Sequence, residues 1–214
     1  MKTHLWLLVV VLLASSCREN NEISLVIEGQ ILDSRNNWGV SDVNVRLDEK
    51  VIEGGTLTSA FGTVTSVTTN ADGYFRIEFP RKNALSYRLR LTKTGYFSNE
   101  FEINPDDVNS DAPYSTNLTI IPQAEIQVNL RNVSAESDAD FMRFRKLNAF
   151  FECACCNNDF VNCYGASVDT SFTCTLFGDH NLSYIYTVYR SEVTEVVDSI
   201  FCPAFHTTEL TIEY

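Results

Sequence analysis

The chain has 214 residues, 44% of them hydrophobic, and a formal net charge of −12. Its 28 acidic against 16 basic residues would repel nucleic acid and anionic lipid headgroups at long range, so we expect no nucleic-acid partner. The length is enough for one large or two small domains with hydrophobic cores of their own.

The chain begins with a short basic segment that is followed by an apolar run. Lys2 lies in the basic segment, and residues 5–14 are apolar without interruption. As a helix this run would rise about 15 Å, which is too short to cross a hydrocarbon core of about 30 Å. The small residues Ala14, Ser15 and Ser16 then provide a cleavage site. Residues 1–16 are therefore predicted to be a signal peptide.

Cys17 follows this segment directly. The sequence Leu13-Ala14-Ser15-Ser16-Cys17 resembles the lipobox of bacterial lipoproteins. The resemblance implies that Cys17 becomes the lipidated first residue of the mature chain and anchors it in the membrane. An ordinary secretory signal with a chance cysteine is the alternative. Residues 17–23 are predicted to be a lipidated tether, because they are polar and show no periodicity.

The tether also carries sorting information. An aspartate directly after the lipidated cysteine retains a lipoprotein in the inner membrane in the enteric rule, whereas Arg18 stands there in this chain. Glu19 and Glu22 resemble the acidic surface-export signal of Bacteroidetes lipoproteins. The resemblance implies an outer-membrane lipoprotein that is exposed at the cell surface.

Residues 24–123 alternate apolar and polar side chains over several short segments. A period of two with charged residues on one face is typical of antiparallel strands whose other face is buried. Turn residues, among them Asn70-Ala71-Asp72-Gly73, separate the segments. We therefore predict an all-β fold for this part, with strands at residues 25–32, 43–47, 74–79, 87–92 and 118–122.

Four blocks of these residues resemble the carboxypeptidase regulatory-like domain. They are residues 27–33, 38–47, 68–75 and 87–96, and they occur in the family's order. The resemblance implies a transthyretin-like sandwich of seven strands over residues 24–123, a domain that is not itself catalytic. The chain has no H-E-x-x-H spacing, so we expect no zinc peptidase site and no enzyme.

Residues 124–214 also alternate in the manner of strands, and they resemble no family. Segments 126–131, 182–189, 193–201 and 210–212 follow the period of two. A second β-sandwich, immunoglobulin-like or similar, is therefore predicted, with the domain boundary near Ala124. From Glu125 onward 13 acidic residues face 5 basic ones, so this half carries a net charge of −8.

Six of the seven cysteines lie in this second half, and outside the cytoplasm such a group predicts disulfides. Cys153, Cys155 and Cys156 are too close in sequence to pair with one another without strain. Each is expected to pair with one of Cys163, Cys174 and Cys202, which leaves six arrangements open. Zinc binding or a thioredoxin-like redox role is the weaker interpretation, because only one C-x-x-C spacing occurs. We expect no metal and no other cofactor.

Three aromatic residues are candidates for ligand binding. Trp38 in a loop and the pair Tyr184 and Tyr186 on one strand face could stack on sugar rings. The alternative places both tyrosines in the sandwich core and Trp38 at its end. A basic group at Arg143, Arg145 and Lys146 is interpreted as a solvated strand face rather than an anion site.

Together these patterns favour a lipid-anchored, non-enzymatic binding or structural module of the cell envelope, with a protein or glycan ligand. A glycan-binding accessory lipoprotein of an outer-membrane uptake system is the first alternative. A thiol-dependent or metal-dependent enzyme is the second.

Overall fold

The computed structural model describes residues 23–53, 56–57, 60–148 and 158–214. These residues form strands joined by turns, with a single short 3-10 helix at Pro105–Asp107, and the predicted all-β class is confirmed. Within the same ranges, no helix is long and apolar enough to cross a bilayer. The strands are β1 (Ser24–Asp33), β2 (Asn44–Glu53), β3 (Thr56–Leu57), β4 (Gly62–Thr68), β5 (Tyr74–Pro80), β6 (Ala84–Thr92), β7 (Tyr96–Phe97), β8 (Asn99–Ile103), β9 (Tyr114–Arg131), β10 (Phe141–Lys146), β11 (Val161–Tyr164), β12 (Asp169–Phe177), β13 (His180–Tyr189), β14 (Val193–Cys202) and β15 (Thr207–Glu213).

The strands form three sheets. The central sheet is built around β9, whose first part pairs with β1 and β7 and whose second part pairs with β12 and β15, while β5 pairs with β1. The first outer sheet contains β3, β4, β2, β6 and β8. The second outer sheet has the order β11-β10-β13-β14. Each outer sheet packs against one part of the central sheet and forms a sandwich with it.

Two hydrophobic clusters lie between these layers. One is made of buried residues from Leu25 to Ile120, and the other of buried residues from Ala124 to Tyr214. Both clusters follow from the alternation of apolar and polar residues along the strands, because every second residue of a strand points to the same side. In β5, for example, Phe75, Ile77 and Phe79 are buried while the residues between them are exposed.

Strand β9 connects the two clusters without interruption. The sequence predicts separate strands on either side of a boundary near Ala124, whereas the structure has one strand from Tyr114 to Arg131 across that position. Aromatic contacts flank the crossing. Tyr96 lies 5.2 Å from Phe205, and Phe97 lies 5.1 Å from Phe177, between ring centroids.

Candidate functional site

The outer face of the second outer sheet is assembled from the alternate residues of β10. Met142 and Phe144 point into the core, so Phe141, Arg143 and Arg145 point away from it. Neighbouring strands continue this face, since residues opposite one another in a ladder share the same side. The surface therefore combines aromatic and cationic side chains on a flat support.

An aromatic row crosses the sheet at one end of this face. Phe141 pairs in register with Tyr164 on β11 and with Tyr189 on β13. The ring centroids of Phe141 and Tyr164 are 4.6 Å apart and those of Phe141 and Tyr189 are 5.2 Å apart, both in stacked geometry. Tyr164 is on the edge strand and is 71% exposed. The stack thus ends in a ring that is available to a ligand.

Two arginines lie beside this row and share one aromatic ring. The guanidinium carbon of Arg143 is 3.8 Å from the centroid of Phe160, and that of Arg145 is 4.8 Å from it. Cation–π attraction at these distances holds the side chains against the ring. The edges of the guanidinium groups keep their N–H donors for other partners. We name the set of Phe141, Arg143, Arg145, Phe160, Tyr164 and Tyr189 the arginine–aromatic face.

Neutral polar groups occupy the same register row as Arg143. Asn162 on β11 and Thr187 on β13 are its direct neighbours in the ladder. The Thr187 hydroxyl donates a hydrogen bond of 3.3 Å to the carboxylate of Glu195 on β14. Glu195 is therefore two strands from Arg143, a separation of about 10 Å. Hydrogen-bonding groups and apolar rings alternate along this face.

The third basic residue of the predicted patch lies on the opposite side of the sheet. Lys146 is buried, and its ammonium nitrogen is 5.3 Å from the centroid of Phe172 in the facing sheet. Burial lowers the pKa of Lys146, and the nearby charge of Asp159 acts in the opposite direction. Of the three predicted basic residues, only Arg143 and Arg145 share the outer face, because successive residues of a strand point to opposite sides.

The candidate ligand-binding aromatics from the sequence are not brought together. Trp38 is 73% exposed in the turn after β1. Tyr184 is 6% exposed and belongs to the second core cluster, and Tyr186 packs against that cluster. The two tyrosines therefore occupy the core side of β13, which was the alternative interpretation. The outward side of the same strand carries Tyr189 instead.

Tyr186 also contributes to a cavity of about 360 Å³ at the end of the second sandwich. Its lining includes Arg190 and the C-terminal Tyr214 together with the carboxylates of Glu136, Glu192 and Glu213. Burial raises the pKa of Tyr214 to about 12, with a further contribution from Cys163. The phenol is therefore protonated at neutral pH.

A buried ion pair closes this end of the sandwich. The Nε of Arg190 donates to Asp140 at 2.9 Å, and its Nη2 donates to the Asn132 side chain at 2.7 Å. Asp140 also accepts hydrogen bonds from the backbone N–H groups of Glu136 and Ser137. Burial alone would raise the pKa of Asp140, but these donors outweigh it and lower the pKa to about 2. This network fixes the loop between β9 and β10.

The cysteines differ from the predicted framework. Cys163 and Cys202 are free and buried, and Cys174 is disulfide-bonded. Cys153, Cys155 and Cys156 lie outside the described residues, as does Cys17. The prediction of three bridges is therefore corrected at Cys163 and Cys202.

Core packing explains why two cysteines can remain thiols. Both side chains lie in the second hydrophobic cluster, where an unpaired cysteine packs as a small apolar residue. Cys163 on β11 pairs in register with Met142 on β10, which pairs in turn with Val188 on β13. Cys202 on β14 pairs in register with His180, at the other end of β13. Eight residues of β13 separate these positions, about 27 Å. Burial raises the pKa of both thiols, which disfavours the nucleophilic thiolate.

Sequence reasoning missed the four aromatic residues of the arginine–aromatic face. The signal for Phe141 was present, because Phe141, Arg143 and Arg145 alternate with Met142 and Phe144. The contributions of Tyr164 and Tyr189 depend on the pairing of β10 with β11 and β13, and Phe160 lies in the segment that leads into β11. Within the residues that the structure describes, no group of three His, Cys, Asp or Glu side chains could hold a metal ion.

Comparison with known proteins gives no family for this chain. No family model matches it, and no curated protein matches it. Among solved structures, the TIE protein of Bacillus anthracis is 11% identical with a TM-score of 0.39, over 89% of this chain and 34% of that one. This chain thus spans about a third of that protein's length.

Two further solved structures show likenesses of similar size. The shaft pilin SpaA of Lactobacillus rhamnosus GG is 10% identical with a TM-score of 0.36, over 90% of this chain and 97% of the pilin. The 3-chlorocatechol 1,2-dioxygenase of Rhodococcus opacus is 13% identical with a TM-score of 0.34, over 47% of this chain and 61% of the enzyme. Likenesses at this level concern the fold alone.

Proposed function

We propose that this chain is a lipid-anchored, non-enzymatic binding module of the cell envelope whose ligand lies on the arginine–aromatic face. The observation that supports the proposal is the aromatic row beside two neighbouring arginines on the side of a sheet that faces away from the core. Large rings and guanidinium groups are the side chains most enriched at recognition surfaces. They bind by area and by hydrogen bonds rather than by reacting.

The anchor is part of the same proposal. The lipobox-like sequence before Cys17 supports attachment by an N-terminal lipid, and Arg18, Glu19 and Glu22 support an outer-membrane, surface-exposed location. Residues 24–123 would then form the carboxypeptidase regulatory-like sandwich that the sequence resembles. Because the arginine–aromatic face belongs to the half of the chain farther from Cys17 in sequence, this sandwich would act as a spacer between the membrane and the ligand.

A glycan-binding accessory lipoprotein of an outer-membrane uptake system is the second candidate. It is favoured by the position of the exposed Asn162 beside the aromatic row, because sugars present hydroxyl groups and apolar ring faces together. The exposed ring of Tyr164 suits the apolar face of a pyranose.

Replacing Cys17 with alanine should release the protein from the membrane. Without the thiol no lipid can be attached, and the remaining chain would move to the soluble fraction. Fractionation of cells grown with a clickable fatty acid measures both membrane association and labelling. A wild-type protein that takes up no label would contradict the anchor, and so would a Cys17→Ala variant that stays in the membrane.

A photo-crosslinking aromatic amino acid placed at position 164 should capture the ligand on intact cells. Tyr164 is the most exposed ring of the face, so the replacement leaves the core unchanged. The matched control is the same amino acid at position 74, where Tyr74 is 54% exposed on β5. Equal crosslinking at both positions, or none at position 164, would overturn the assignment of this face.

A further inference from the structure

We propose that Arg143 and Arg145 bind the carboxylates of an acidic polysaccharide, a polymer of uronic acids that lies across the arginine–aromatic face. This inference rests on the proposed function and adds the chemical class of the ligand. Within the described residues, neither Arg143 nor Arg145 forms a salt bridge, although other arginines do so, namely Arg46, Arg76, Arg88, Arg90, Arg131 and Arg190.

The pair is unusual because of the charge around it. The half of the chain from Glu125 onward has 13 acidic and 5 basic residues, so carboxylates are abundant in it. Within the described part of this half, the salt bridges are those of Arg131 with Asp169 and of Arg190 with Asp140. Two neighbouring guanidinium groups also repel each other. This repulsion is offset when an external carboxylate lies between the two guanidinium groups. Within the described residues no salt bridge reaches either guanidinium group, so the pair is complementary to an added anion.

The geometry favours a planar anion. Arg143 and Arg145 are two residues apart on one strand, which places their Cα atoms about 7 Å apart on the same side. Phe160 contacts both guanidinium groups and restrains them. A guanidinium donates two parallel hydrogen bonds to a carboxylate, and this arrangement is the strongest of its kind. Restraint before binding lowers the entropy that ligand binding would cost.

The aromatic row distinguishes an acidic sugar from a simple anion. A uronic acid carries its carboxylate on a pyranose ring with an apolar face. With the carboxylate at Arg143, that ring reaches the stack of Phe141 and Tyr164, since Phe141 is two residues from Arg143 on the same strand face. Asn162, which is exposed and adjacent in register to Arg143, can bond the hydroxyl groups.

The net charge of the chain does not oppose such a contact at physiological salt. Charges farther away than about 8 Å are largely screened there, whereas a carboxylate at the guanidinium edge is in direct contact. Glu195 stands in the register row of Arg143 two strands away, with the two backbones about 10 Å apart, and its carboxylate accepts a hydrogen bond from Thr187. Contact with the local cations therefore dominates over repulsion by the whole chain.

The test measures binding of the full-length protein in detergent to polygalacturonate and to the same polymer after chemical reduction of its carboxyl groups. The wild-type protein should bind polygalacturonate, and the reduced polymer should bind at least about tenfold more weakly. The double variant Arg143→Gln with Arg145→Gln should lose at least about tenfold in affinity for the acidic polymer. The control Arg131→Gln changes an exposed arginine of the same half and should leave binding unchanged.

A second pair of substitutions keeps the test valid if the double glutamine variant does not fold. Arg143→Lys with Arg145→Lys retains the charge and removes the two-pronged donor geometry, so affinity should fall by a smaller factor than in the glutamine variant. Melting temperatures equal to that of the wild type show that the lost affinity is not caused by unfolding.

Several results would overturn the inference. Equal binding to the reduced and the acidic polymer would show a neutral glycan ligand, and the proposed function would still stand. Binding to polyglutamate that equals binding to polygalacturonate would show that the face accepts any carboxylate polymer and does not recognise the sugar ring. Loss of binding in Arg131→Gln as large as in the double variant would show a non-specific charge effect. No binding to either polymer, together with specific crosslinking at position 164, would reject the polysaccharide and keep the binding face.

Discussion

The Gly29→Ala variant should lose about 3 kcal/mol or more of its free energy of unfolding. A Cβ atom on Gly29 would lie 1.6 Å from the carbonyl oxygen of Thr116 and 2.7 Å from its carbonyl carbon. These atoms belong to the backbone of β9, which pairs with β1 in parallel at this point. No side-chain rotation can relieve the contact, so the two strands must separate.

The position in the sheet makes that separation costly. Strand β1 lies between β5 and β9, and Gly29 is in register with Phe75 on one side and with Thr116 on the other. Moving β1 away from β9 would disturb both ladders and the core beneath them. Ile27 and Ile31, which flank Gly29 on the core side, are fully buried and would lose packing as well.

Urea unfolding followed by circular dichroism measures the loss, with Gly62→Ala as the matched control. The nearest atom to a Cβ on Gly62 is the carbonyl oxygen of Glu49 at 4.0 Å, an ordinary contact distance. The control should stay within about 0.5 kcal/mol of the wild type. Two variants of equal stability would contradict the close approach of β1 and β9.

The strands could be predicted from the sequence because their alternation is local. The segments that were expected around residues 75, 89 and 185 are strands β5, β6 and β13. The pairing of β1 with β9 could not be predicted, because it joins residues 87 positions apart and is specified by backbone proximity at Gly29 and Thr116. For the same reason the sequence did not indicate that β9 would run through the expected boundary at Ala124.

The candidate site shows a different limit of sequence reasoning. Alternation along β13 identifies two faces, but it does not say which of them is buried, and a shift by one residue exchanges them. Tyr184 and Tyr186 were thus candidates for a ligand surface with the core as the alternative, and the structure places them on the core side. Tyr189 lies on the other side, at the end of the strand. The alternating pattern did separate Arg143 and Arg145 from Met142 and Phe144. Their partner Phe160 lies just before β11, and Tyr164 lies on it. The length of the segment between β10 and β11 does not indicate that the two strands pair.

The Asp140→Asn variant should melt well below the wild-type protein at neutral pH. One carboxylate oxygen of Asp140 accepts hydrogen bonds from the Arg190 Nε at 2.9 Å, from the backbone N–H of Glu136 at 3.1 Å and from the Asn132 side chain at 3.2 Å. The other oxygen accepts the backbone N–H of Ser137 at 2.9 Å. An asparagine must turn its amide nitrogen toward one of these sets of donors, and it removes the charge that compensates Arg190 in a buried site.

The stability that Asp140 contributes depends on pH. The pKa of Asp140 is lowered from 3.8 to about 2 in the folded protein, so the folded state favours the ionised carboxylate. The resulting stabilisation is fully present above about pH 4 and is lost as the pH falls through the folded value near 2. The difference in melting temperature between the wild type and Asp140→Asn should therefore be constant near neutral pH and should shrink between pH 4 and pH 2.

Asp169→Asn is the matched control for this comparison. Asp169 accepts a hydrogen bond of 3.3 Å from Arg131, but both side chains are largely exposed, and exposed ion pairs contribute about 0 to 1 kcal/mol. Its melting temperature should follow that of the wild type at every pH. A gap between the wild type and Asp140→Asn that persists unchanged at pH 2 would mean that the lost stability comes from the shape of the side chain. The ionised network of Asp140, Arg190 and Asn132 would then not be what fixes the end of the second sandwich.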